Sequence, residues 1–167
     1  MAKIQKPPVM AMRAFSTGSK TEKASKLNIT VQWGDQDAFG HLNNVIYLRY
    51  FESARINYML DSGWMSPSEA TKPILLEMDI KYRKQVKFPA TLTLYTATLE
   101  TRTKSSVVGT LFMHGDEIVA EAKAVVVSFD YKLQKTTAIP PSVIEYISQV
   151  DAHQLPMVKE RLAKTFM

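Results

Sequence analysis

Trp33-Gly34-Asp35-Gln36-Asp37-Ala38-Phe39-Gly40-His41-Leu42-Asn43-Asn44-Val45-Ile46-Tyr47, running on to Glu52-Ser53-Ala54-Arg55, sets two carboxylates, an imidazole and two adjacent carboxamides between two segments of different periodicity. Upstream, from Leu27, the pattern becomes Ile29-Thr30-Val31-Gln32-Trp33, a short alternation that reads as a strand ending at Gly34-Asp35. Downstream, from about Asn44 to Asp61, Tyr47, Phe51, Ala54 and Tyr58 recur three or four residues apart, with Ile46, Tyr50 and Met59 widening the same face. That spacing predicts a largely buried helix, closed by Gly63. On its polar side Arg49, Glu52 and Arg55 are spaced to pair at i, i+3.

Beyond a loop at 66–72, Ile74, Leu76, Met78, Ile80 and Tyr82 alternate with Leu75, Glu77, Asp79, Lys81 and Arg83, which predicts a strand with one buried and one wet face. Further β-rich runs cover Thr91 to Glu100, Ser106 to Met113 and Glu117 to Tyr131, and His114-Gly115-Asp116 supplies hairpin-turn chemistry between the last two. Pro140-Pro141-Ser142 ends the sheet region and precedes a short helix over Val143 to Val150 and a second amphipathic piece near Val158 to Lys164. One strand, one long apolar helix and four strands, without βαβ alternation, predict an α+β fold in which an antiparallel sheet wraps one central helix. Such a sheet leaves edges uncovered, so a homodimer or homotetramer is expected, with sheets joined edge to edge or face to face.

Composition narrows the function. Residues 1–28 hold six cations and one anion, and the remaining 139 residues hold fifteen of each, so the whole formal charge of +5 lies in the first segment. A neutral body lacks the basic stripe that phosphate-backbone binding needs, and no nucleic-acid partner is expected. No apolar run approaches the roughly 20 residues of a bilayer span. The chain has no cysteine, and its three histidines, His41, His114 and His153, are far apart, so neither a thiolate nucleophile nor a metal site is expected.

Residues 1–28 also show no hydrophobic periodicity, contain Pro7 and Pro8 and have no acidic residue before Glu22. We set them apart from the folded domain, taken as 29–140, and from a helical extension at 141–167. Arg13-Ala14-Phe15-Ser16 resembles the cleavage-site pattern of mitochondrial presequences, which makes a mitochondrial location the expectation; a disordered basic tail on a cytoplasmic protein is the alternative, since two prolines weaken a presequence helix.

The loop before the helix carries the chemistry. Unpaired N–H groups of a first helical turn polarise a carbonyl placed against them, and Asp37 could then attack it or activate a water. Asp35 reads as a turn or capping residue and Asn43 as an N-cap or a substrate contact.

Asp35, Asp37, Gly40, His41, Asn43, Asn44, Tyr47, Glu52, Ala54 and Arg55 match the signature D-x-D-x-x-G-H-x-N-N-x-x-Y, followed by a glutamate and an A-R pair. With this set, the span from about Ile29 to Tyr131 resembles the hotdog-fold thioesterases of the 4-hydroxybenzoyl-CoA thioesterase and YbgC-like group. The resemblance implies hydrolysis of an acyl-CoA thioester without a cofactor, Asp37 as nucleophile or general base, an oxyanion-binding amide near Asn44, and active sites at a subunit interface. It departs in one respect: YbgC-like members carry a histidine where Asn44 stands, and this chain has its histidine at His41. His41 could therefore orient the loop, hydrogen-bond Asp37 or cap the helix. Tyr47 reads as a pocket-wall or core residue, and Arg102, Lys104 and Ser105, at a strand junction, as candidate contacts to the CoA phosphates. A hotdog dehydratase or hydratase acting on 3-hydroxyacyl thioesters, and a non-catalytic acyl-CoA-binding protein, are the competing readings.

Overall fold

The computed structural model describes residues 26–154 and 156–166. The expected presequence motif around Arg13 lies outside them. Six strands, β1 (Lys26–Thr30), β2 (Thr71–Tyr82), β3 (Thr91–Thr101), β4 (Ser105–His114), β5 (Glu117–Asp130) and β6 (Lys135–Thr136), form one sheet. Its order is β1-β3-β4-β5-β2, every pairing is antiparallel, and β6 pairs with β5. Three helices, α1 (Asn44–Asp61), α2 (Pro141–Gln154) and α3 (Pro156–Phe166), complete the α+β hotdog fold.

Helix α1 lies across the inner face of the sheet. Tyr47, Tyr50, Phe51 and Ala54 pack there on Leu92, Leu94 and Phe112, and on Ala120, Ala122 and Ala124 of β5. The three alanines alternate along β5, so they share one face, and their short side chains admit a bulky aromatic helix surface. A second cluster, with Tyr58, Met59, Trp64, Val126 and Val143, closes the C-terminal end of α1 against α2. Trp64 is 2% exposed there. The outer face is covered too: Val158 and Leu162 of α3 pack on Ala97 and Leu111, with Tyr95, Leu99 and Phe166 around them. A Cβ on Gly109 would come within 2.7 Å of Leu162 Cδ1, so the bare backbone of β4 is what lets α3 lie close.

Three expectations change. The first strand is Lys26–Thr30, so Lys26 to Asn28 belong to the domain rather than to the basic segment, and Trp33 to Asp35 form a 3₁₀ turn. Val31 N–H still donates to Ala90 O, one step beyond the Thr30–Thr91 pair, and the chain then turns away from the sheet at Trp33. Strand β2 is an edge strand with no fully buried residue. A register shift between Leu75 and Glu77 leaves Leu76 unpaired and 69% exposed, and places Leu75 rather than Ile74 on the face of Met78 and Ile80. Finally, the Arg49–Glu52–Arg55 ladder does not form among the described residues: Glu52 is exposed, while Arg55 is buried with its guanidinium 5.1 Å from the Phe51 ring. Burial pushes the Arg55 guanidinium below its ordinary range, and nearby Glu52 works against this.

Candidate active site

The segment between β1 and α1 is stitched in place mainly by its own backbone. Asp35 is its structural centre. Its Oδ2 accepts from Gln32 N–H at 2.7 Å and from the Tyr50 hydroxyl at 2.5 Å, and its carbonyl accepts from Asn43 N–H at 2.9 Å. Asp35 thus fixes the turn against the helix, the role its position suggested. Leu42 N–H donates to Val86 O, and Phe88 N–H to Gln36 Oε1, so the outer strand of the loop rests on the segment that follows β2.

Asp37 begins a tight turn. Its N–H donates to His41 O at 2.8 Å, and its carbonyl accepts from Gly40 N–H at 3.1 Å. Gly40 adopts φ +73°, the left-handed conformation that costs other residues energy. Inside this turn Asp37 Oδ1 accepts from Phe39 N–H at 2.8 Å and from His41 N–H at 3.2 Å. The other oxygen, Oδ2, has no hydrogen-bond partner among the described residues. One half of the carboxylate anchors it and the other half remains available.

Asn43 caps α1, its side chain accepting from Val45 N–H at 2.9 Å. Ile46 and Tyr47 N–H both donate to Asn43 O. That leaves the Asn44 N–H, first of the helix, without a partner among the described residues. It carries the positive end of an 18-residue helix.

Asp37, His41, Asn44 and Tyr47 all line one cleft of about 410 Å³. Its other wall is Tyr82, Arg83, Lys84, Gln85 and Val86, the end of β2 and the residues after it. Tyr47 meets Tyr82 edge to face at 5.2 Å and Phe112 at 5.6 Å. Burial, and then the neighbouring Tyr82, push the Tyr47 hydroxyl up to about 12, so it stays a protonated donor throughout the neutral range. Burial also raises Tyr82. Trp33 and Phe39, on the same loop as Asp37, are 75% and 83% exposed.

His41 contributes its backbone to the Asp37 turn, its N–H donating to Asp37 Oδ1, and it lines the cleft; the helix cap is Asn43, and among the described residues no hydrogen bond joins the His41 ring to Asp37. Arg102, Lys104 and Ser105 lie elsewhere, at the β3–β4 turn. Arg102 pairs with Glu100 at 2.6 Å and lines a separate cleft of about 460 Å³ under α3, the Lys104 carbonyl accepts from Ser128 N–H, and Ser105 opens β4. Among the described residues no group of His, Cys, Asp or Glu is arranged to hold a metal ion. The reading of the sequence missed the Tyr82-to-Val86 wall; an aromatic residue and two cations in succession at the end of an alternating strand were the available signal.

The fold and this loop-and-helix cleft place the chain by comparison. Residues 31–147, more than half of the chain, match the family model of the thioesterase-like superfamily, and the chain belongs to that superfamily. Among solved structures, the PA2801 protein of Pseudomonas aeruginosa, described as "a putative Thioesterase", is 27% identical at a TM-score of 0.68, covering 74% of this chain and 98% of that one. A thioesterase-superfamily protein from Jannaschia sp. CCS1 superposes at a TM-score of 0.71 with 23% identity, over 76% of this chain and 82% of that one, a likeness of fold alone. The YsmA protein of Bacillus subtilis (strain 168), itself uncharacterised, is 33% identical over 70 residues, 42% of this chain and 48% of that protein. The match thus spans about half the length of that relative.

Proposed function

We propose that this protein hydrolyses an acyl-CoA thioester to the free acid and CoA, in the manner of the 4-hydroxybenzoyl-CoA thioesterase and YbgC-like group. The observation that carries the reading is that Asp37, with one carboxylate oxygen unpartnered, and Asn44, with its N–H unpartnered among the described residues, line the same cleft. A thioester carbonyl oxygen set against Asn44 N–H is polarised by the helix terminus. Asp37 Oδ2 then removes a proton from water as the water oxygen bonds to the carbonyl carbon, or itself bonds to that carbon. Collapse of the tetrahedral species breaks the C–S bond. On the general-base route this gives the acid directly, and the thiolate takes the proton that Asp37 removed from water. On the nucleophilic route it leaves a mixed anhydride on Asp37, which a water then hydrolyses to the acid, restoring the carboxylate and supplying the thiolate's proton. Tyr47 bounds the acyl pocket, His41 supports the loop, and Asn43 holds the helix end in register. Arg102, Lys104 and Ser105 could meet the CoA phosphates only outside this cleft.

The test is thiol release from a panel of acyl-CoA substrates. Asp37→Asn and Asp37→Ala are expected to fold and to lose at least about a hundredfold in kcat. Undiminished turnover in either variant would end the proposal, and tight binding without thiol release by the wild type would favour a carrier.

A homodimer is the assembly we favour. The β2 edge is open, with Leu75 and Leu76 exposed on it, whereas α3 occupies the outer face that a face-to-face tetramer would use. Sedimentation equilibrium distinguishes the two.

A further inference from the structure

Glu121 is fully buried on the outer face of β5, an unusual place for a carboxylate. It is met by three donors: Arg83 Nε at Oε2, and Arg161 Nε at 2.7 Å and the Thr165 hydroxyl at 2.8 Å, both at Oε1. Two of these belong to α3, and the third is the arginine of the cleft that contains Asp37. Lys81, the residue facing Glu121 across the sheet, adds a fourth tie by donating to Thr165 O at 2.5 Å.

We propose that Arg83 is the anchor for an anionic group of the substrate, and that Glu121, itself locked by α3, is the residue that positions it. The charge balance allows this. One carboxylate faces two guanidinium groups, so the cluster keeps a net positive charge; Arg83 lines the cleft, and its side chain remains 40% exposed, with no partner for its guanidinium other than Glu121 among the described residues. Lys84 beside it is neutralised by Glu117 in an exposed pair. An arginine held through Nε can direct its terminal nitrogens at an oxyanion in fixed geometry, which a free side chain would have to lose entropy to do. The anion would be either a phosphate of the CoA portion or a carboxylate on the acyl chain. The identity of the substrate as a thioester rests on the function proposed above; the anion-binding role does not.

Three thioesters separate the sources: butyryl-CoA, neutral butyryl-pantetheine, and succinyl-pantetheine with a carboxylate on the acyl group. Arg83→Gln is expected to raise KM about tenfold more for one of the two anionic thioesters than for butyryl-pantetheine, with kcat changed less than about twofold. A selective loss on butyryl-CoA assigns the phosphates, and one on succinyl-pantetheine assigns the carboxylate. Glu121→Gln is expected to shift KM in the same direction, and to add nothing in the Arg83→Gln background, a non-additivity that a purely structural role for Glu121 would not produce. An Arg83→Gln enzyme whose KM ratios match the wild type within twofold overturns the proposal, whatever the Glu121 variant does. If the wild type cleaves none of the three, the hydrolase reading falls and the intact thioesters become binding probes. Calorimetric affinity for an anionic one then drops about tenfold in Arg83→Gln if the anchor exists, and unchanged or undetectable binding refutes it.

Discussion

The Tyr50 hydroxyl donates to Asp35 Oδ2 at 2.5 Å across fifteen residues of sequence, joining the second turn of α1 to the 3₁₀ turn that follows β1. The bond is shielded, and burial first, then the bond to Asp35, raise the Tyr50 hydroxyl above its ordinary range. Tyr50→Phe removes the donor and leaves Asp35 Oδ2 with Gln32 N–H alone. The expected cost is about 1–3 kcal/mol in denaturant unfolding, a range appropriate to a bond to a charged acceptor. Because Asp37 hangs from the same loop, kcat should fall as well, with KM less affected.

Gly40 offers a cleaner probe of the Asp37 turn. Nothing lies within 4 Å of a Cβ placed there, so Gly40→Ala creates no clash and tests only the φ of +73°. Holding alanine in that conformation costs about 1–2 kcal/mol. If the turn relaxes instead, the hydrogen bonds that aim the Asp37 carboxylate are lost. Thermal unfolding and kcat should therefore both drop in Gly40→Ala and recover in part in Gly40→Asn, which tolerates the left-handed region better. Equal losses in the two variants would mean that backbone conformation is not the constraint.

The tyrosines of the cleft set an alkaline limit. With Tyr47 at about 12 in the folded protein against 10.0 as its ordinary value, the unfolded chain gives up this proton first as pH rises. Between pH 10 and 12 the folded state therefore binds more protons than the unfolded one, and stability falls across that window. Tyr50 and Tyr82 shift in the same direction and add to it. Urea midpoints measured at steps above pH 10 should decline, and Tyr47→Phe should decline less steeply than the wild type. A Tyr47→Phe profile parallel to the wild type would place the cause elsewhere.

How far these features could be read from sequence depended on whether the relevant residues are neighbours along the chain. Helix α1 runs over Asn44–Asp61 as expected, because its cap at Asn43, its aromatic spacing and Gly63, at φ +77°, are all local signals. Strands β3 to β5 were equally legible. In β2 the alternation Ile74-Leu76-Met78 looked continuous, yet the extra residue at the bulge moves Ile74 to the other face; periodicity cannot register a residue that pairs with nothing. Trp33 extended an alternating pattern in sequence where the backbone turns away. The same distinction divides the site. Asp37, His41, Asn44 and Tyr47 sit on one loop and one helix turn, so their convergence was foreseeable, whereas Arg83 and Glu121 meet across 38 residues through strand pairing alone. Arg102 was drawn into the candidate set by its charge, but its place at the β3–β4 turn puts it in another cleft.

The two tryptophans of the chain stand in opposite environments: Trp33 projects from the Asp37 loop, and Trp64 is sealed under the end of α1. Intrinsic fluorescence is thus already divided into a red-shifted, quencher-accessible emitter beside the cleft and a blue-shifted one in the interior. Ligand occupancy and global unfolding can be followed as separate optical signals in the unlabelled protein, with Trp33→Phe as the control that silences the first.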